Sequence, residues 1–127
     1  MCIVSNYVNE LEVLLGNIGN DIEVLNSKQS EYDKKLSNHY HKVEIAKFNA
    51  AEGYYLAKEL QTILQERRLI KDELHRLRDL DKMLNVKVVE SNLKRAKVHV
   101  REAKKRSKTW KAGFKISFND IGIKFNH

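Results

Sequence analysis

The stretch "KFNAAEGYYLAKEL", Lys47 to Leu60, decides the fold, because it separates two long helical patterns and holds a single glycine, Gly53. If the chain reverses here, the two patterns face each other. If it runs on, they form one rod.

Upstream, Val4, Val8, Leu11, Leu15, Ile18, Ile22, Leu25, Gln29, Tyr32, Leu36, His39, Val43 and Ala46 recur at alternating spacings of four and three. All but Gln29 and His39 are apolar, which is the pattern of a coiled-coil-like helix. The segment "GNIGND", Gly16 to Asp21, weakens it with two glycines, and Asn20 with Glu23 could make a capping pair. The stripe keeps phase through that segment, so the reading is one continuous helix of about 65 Å at ~1.5 Å per residue.

Downstream, Leu56, Leu60, Ile63, Arg67, Ile70, Leu74, Leu77, Asp81 and Leu84 form a second stripe. Phase is lost between Ala46 and Leu56, where Asn49 and Gly53 both tolerate the left-handed conformation of a helix end. A reversal near Ala51 sets Val43 near Leu60, His39 near Ile63, Tyr32 near Ile70 and Leu25 near Leu77. The polar seam residues favour it. In a straight parallel dimer Arg67 and Asp81 would each face their own copies, whereas in a hairpin Arg67 meets the Leu36 layer with Asp33 and Tyr32 as acceptors. Residues 1–84 therefore read as an antiparallel αα-hairpin with its turn near 49–54, and Gln29, His39, Arg67 and Asp81 as its structural polar seam. The alternative is an extended helix pairing antiparallel with a second chain.

After Leu84 the phase jumps, and Val86, Val89, Leu93, Ala96, Val100, Ala103, Ser107 and Trp110 form a third stripe of smaller residues. Beside it Lys94, Lys97, Arg101, Lys104, Lys105 and Lys108 occupy one helical face. Charge follows this division. Residues 1–50 hold five Lys/Arg against seven Asp/Glu, residues 51–84 seven of each, and residues 85–127 twelve against three. All the net basicity is C-terminal, and 85–111 reads as a third, basic amphipathic helix. In the tail, 112–127, Phe114, Ile116 and Phe118 alternate with polar residues, as do Ile121, Ile123 and Phe125, with Asn119-Asp120 between them. That spacing predicts a small β-hairpin, with a flexible tail as the alternative. The fold class is mainly α.

Proline is absent and 32% of residues are charged, as expected of long solvated helices. One cysteine, Cys2, makes no internal disulfide, no apolar run approaches the ~20 residues of a membrane span, and the first residues carry no basic leader. A cytoplasmic protein is expected. Its chemistry is sparse: there is no phosphate loop, HExxH or CxxC. His39 and His41 point to different helix faces. His41 and Glu44 could share a metal, yet the repeated Glu-x-x-His units of di-iron bundles are missing. No metal, no cofactor and no catalysis are expected. Tyr54 and Tyr55 either anchor a partner or pack over the turn.

The Lys47-Phe48-Asn49-Ala50 run, Gly53-Tyr54, and Arg67-Arg68 followed by Lys71-Asp72-Glu73-Leu74 resemble small helical-hairpin proteins of Gram-positive bacteria and their phages, a group with no function attached. The resemblance covers about a quarter of the chain and leaves the basic C-terminal region unmatched. It implies a small phage or mobile-element accessory protein, acting in the host cytoplasm. Two functions follow from the residues. One is a non-enzymatic interaction module that binds and modulates, for example inhibits, a larger protein. The other is a nucleic-acid-binding protein whose basic helix tracks phosphates. Both use Lys94, Lys97, Arg101, Lys104, Lys105, Lys108, Trp110 and Phe114. Homo-oligomerisation is left open.

Overall fold

The computed structural model describes residues 3–113 and 115–126. Three helices account for most of them: α1 (Ile3–Ile45), α2 (Ala50–Leu84) and α3 (Val86–Lys111). The opening stretch does reverse. Helix α1 stops where Ala46 N–H makes its last bond to the Lys42 carbonyl, and α2 starts at Ala50. The reversal thus spans 46–49 and meets the expected 49–54 only at Asn49.

The residues expected to supply a left-handed helix end do something else. Asn49 is extended (φ −86°, ψ −178°), and its side-chain oxygen accepts from Glu52 N–H at 2.9 Å, capping one of the orphan donors of a helix start. Gly53 lies in the first turns of α2. A Cβ there would stand 3.2 Å from the Phe48 ring, so the glycine makes room for Phe48 to fold over the turn. Tyr54 and Tyr55 stay exposed, edge to face with each other.

The single described non-glycine residue with positive φ is Asn85 (φ 50°, ψ 61°). Its N–H closes α2 onto the Asp81 and Lys82 carbonyls, while its own carbonyl accepts from Val88 and Val89 N–H and opens α3. Asparagine tolerates this conformation better than most side chains. One residue therefore ends one helix and begins the next.

What α3 packs on is the main departure from a hairpin with an appended helix. Glu12 bonds Lys97, Leu15 lies with Leu93, and Ser5 lies with Lys104, so α3 runs antiparallel to α1 along its N-terminal half. Helix α2 runs antiparallel along the C-terminal half of α1: Asn26 pairs with Arg78, Asp33 with Arg67, His39 with Leu56. The apolar stripe of α1 is long enough for both, α2 covering its upper layers and α3 its lower ones. The core cluster sits in the α1–α3 half: Val8, Leu15, Ile18, Val86 and Leu93, with Ile22, Val89 and Ala96 against it.

No β-hairpin forms among the described residues. Asn119–Ile121 make a 3₁₀ turn. Asp120 accepts from both the Ser117 N–H (2.8 Å) and the Ser117 hydroxyl (3.0 Å), a capping-box exchange that holds its carboxyl below the ordinary range. Gly122, at φ 76°, closes the turn: Gly122 N–H bonds Asn119 O, and Ile123 N–H reaches Phe118 O at 2.9 Å. This is a Schellman ending. The Ser-x-x-Asp spacing and the glycine two residues beyond override the alternation that suggested strands.

Candidate functional site

The polar seam joins α1 to α2. His39 is 3% exposed and reaches across the hairpin, its Nε2 2.9 Å from the Leu56 carbonyl oxygen. Nε2 donates to that oxygen, and Nδ1, which has no hydrogen-bond partner, lies 3.6 Å from a Glu59 oxygen. Lys42 approaches the same Glu59 carboxylate at 3.5 Å. A histidine so placed is a clamp between helices near the turn. Arg67, half-buried, donates from Nε to Asp33 at 2.6 Å, in the Leu36 layer where the sequence puts it. Tyr32 does not serve Arg67. Its hydroxyl donates to Glu66 at 2.6 Å, and that bond raises the phenol pKa.

Gln29 and Asp81 are half-buried on the same seam. Around Gln29 the helices leave an open groove of roughly 760 Å³ bounded by Leu64, Arg67, Arg68, Leu74 and Arg78. Arg67 and Arg78 already hold Asp33 and Asn26, so the groove is a gap over a polar layer rather than a converging set of catalytic groups.

The basic stripe occupies one flank of the α1–α3 pair. Lys97 is half-buried and bonded to Glu12. Lys94 lies beside Glu90, Leu93 and Gly16, while Arg101 and Lys104 border a groove with Ser5 and Asn9. Lys105 and Lys108 face solvent. Of the six, Lys97 is the one with an acidic partner among the described residues. Acidic charge in the front half therefore neutralises one residue of the stripe and leaves five. Beyond them α3 reaches Trp110, 56% exposed with the Lys111 ammonium 5.5 Å from its ring centre. The tail adds exposed Ile116, Phe118, Ile121, Ile123 and Phe125, Phe118 and Phe125 meeting edge to face. Phe114, the remaining residue expected at this site, lies outside the described residues.

The opposite flank of the same pair was not singled out from sequence. Tyr7 (49% exposed) and Leu14 (54% exposed) stand one position before the seam residues Val8 and Leu15, with Leu11 partly exposed between them. In later heptads the matching positions are Asp21, Lys28, Lys35 and Lys42. The signal was legible: of these positions and the two of the seam, three are apolar per heptad at the front of α1, at most two thereafter.

Among the described residues no cluster of three or more His, Cys, Asp or Glu is placed to hold a metal, and no helix is long and apolar enough to cross a membrane. His41 and Glu44 meet at 3.7 Å as an exposed pair. Compared with known proteins, the chain matches no family model, no curated protein and no solved structure.

Proposed function

We propose that the chain is a non-enzymatic protein-interaction module, a small accessory protein of the phage or mobile-element kind, that docks an acidic protein surface onto the end of α3. One observation carries this reading. The turns of α3 bearing the unneutralised cations lead, in sequence, into exposed Trp110, Ile116, Phe118, Ile121 and Ile123. Basic residues next to exposed aromatic and aliphatic side chains suit a protein partner, whose apolar side chains bury against the isoleucines and whose carboxylates meet the lysines. A phosphate backbone offers nothing to the aliphatic half. Long-range attraction between the basic flank and an acidic partner speeds association, and the apolar contacts slow release.

Nucleic acid is the second reading, favoured by the five cations left without acids. Two variants separate the readings, one with Lys94, Arg101, Lys105 and Lys108 changed to Glu, the other Trp110→Ala with Ile116→Ser and Ile121→Ser. Lys97 is spared because it bonds Glu12. A protein that co-purifies with the wild type should be lost from both variants. Wild-type binding to duplex DNA should be weak at physiological salt. Submicromolar DNA binding that the four reversals abolish and the apolar triple leaves unchanged would move the conclusion to nucleic acid, with a log–log salt slope of about −0.9 per phosphate contacted.

A further inference from the structure

We infer that the apolar flank of the α1–α3 pair takes a second copy of this chain, giving a four-helix bundle at the base of the coil. Three observations converge on that occupant. The first is exposed apolar surface: Tyr7, Leu11 and Leu14 of α1 stand exposed beside the seam, and on α3 the small seam residues Ala96 and Ala103, which let another helix approach closely, are bordered on that side by Asn92, His99 and Arg106.

The second is area. The chain exposes 10576 Å². A compact monomer of 14.9 kDa exposes about 7,000 Å² by the usual mass scaling. Obligate dimers bury roughly 2,000–5,000 Å² in total, about 1,000–2,500 Å² from each chain, and the excess surface of this elongated chain is large enough to supply that share.

Charge supplies the third. The first 27 residues hold Glu10, Glu12, Asp21 and Glu23 and no Lys or Arg, while α3 holds ten Lys/Arg against Glu90 and Glu102. Within one chain α1 meets only one flank of α3, and Glu12 is spent there on Lys97. The other edge of α1 presents Glu10 and Asp21. The other edge of α3 presents Arg95, His99 and Arg106, with Glu102 among them. A two-fold axis parallel to the helices sets α1 of each copy over α3 of the other. Every neighbouring pair is then antiparallel, and the acidic edge lies over the basic one, Glu10 within about a turn of the copy's Arg95. The apolar stripe is buried, and the flank with Lys94, Arg101 and Lys104 stays outside on both faces.

Sedimentation equilibrium of the full chain tests this. The expected mass is twice 14.9 kDa at micromolar concentration. Leu14→Glu and Tyr7→Lys change side chains that are half exposed in the single chain, so helicity by circular dichroism should hold while the dimer dissociation constant rises about 30-fold or more. Glu10→Arg and Arg95→Glu should each weaken the dimer, and the two together should restore it. A wild type that stays monomeric at 100-fold higher concentration would overturn the inference and leave the flank to a different protein. So would a dimer indifferent to Leu14→Glu, or a double charge exchange weaker than either single one.

Discussion

The two halves of α1 obey the same four-three spacing and yet hold their partners by different means. Along α2 the seam contains Gln29, His39, Arg67 and Asp81, and cross-links run through Tyr32–Glu66, Asp33–Arg67 and Asn26–Arg78. Along α3 the seam is apolar, the core cluster lies there, and among the described residues one ion pair, Glu12–Lys97, crosses it. The upper half specifies partner and register: exchanging a side chain there misplaces a hydrogen bond. The lower half specifies burial, through a cluster of apolar side chains with little polar pairing across it. A polar seam suits an intramolecular hairpin and an apolar one suits an assembly surface.

The sharpest way to break this contrast is Leu93→Ala. Leu93 is buried in the α1–α3 core, and truncating a buried leucine costs about 2–5 kcal/mol. The α1–α2 half should survive it, so hydrogen exchange should show α3 amides losing protection while those of α2 keep theirs. Simultaneous loss in both would mean that the halves fold as one unit and the division is only descriptive.

A smaller and opposite effect is expected from Gly16→Ala with Gly19→Ala. A Cβ at either position meets nothing within 4 Å, and each helix-interior glycine costs about 1 kcal/mol relative to alanine. The lower half of α1 is the intrinsically weaker helix and leans on α3 for its stability. The double variant should melt higher and keep its oligomeric state. Destabilisation would show that the glycines serve a close approach.

Smallest of all should be Arg67→Leu. Its bond to Asp33 is partly solvated, and apolar replacement of such a charge is often neutral, so stability should change by less than about 1 kcal/mol in chemical denaturation. The same exchange should loosen register, seen as broadened resonances around Leu36. If Arg67→Leu instead costs several kcal/mol, the polar seam is a source of stability and the contrast between the halves fails.

The stripes were legible because period and phase survive in sequence whatever a helix packs on. Their partners were harder to read. The second stripe has fewer layers than the first, which leaves the layers around Val4, Val8, Leu11 and Leu15 without a mate, and the phase jump between Leu84 and Val86 marks where the mate begins. Gly53 misled because a glycine beside a helix boundary suggests a left-handed residue, whereas here it clears space for Phe48, which depends on three-dimensional proximity. The tail misled because alternation was weighed over capping, although Ser117, Asp120 and Gly122 spell out a turn. Of the partner-site residues, the basic side chains were placed on one flank by helical spacing alone. How few of them find acids could be known only once α1 and α3 were seen side by side.

Asn85 carries a consequence for how this chain can vary. Its single left-handed residue sets the rotation of everything after it. Were position 85 helical, the seam of α2 would continue through Val88, Ser91, Arg95 and Val98, turning two polar residues toward α1 and carrying Leu93 away from it. Inserting or deleting one residue here turns α3 by about 100°. Indels are usually absorbed by loops, but this junction has no loop to absorb them, so the spacing between Leu84 and Val86 acts as a reading frame for the face that α3 presents.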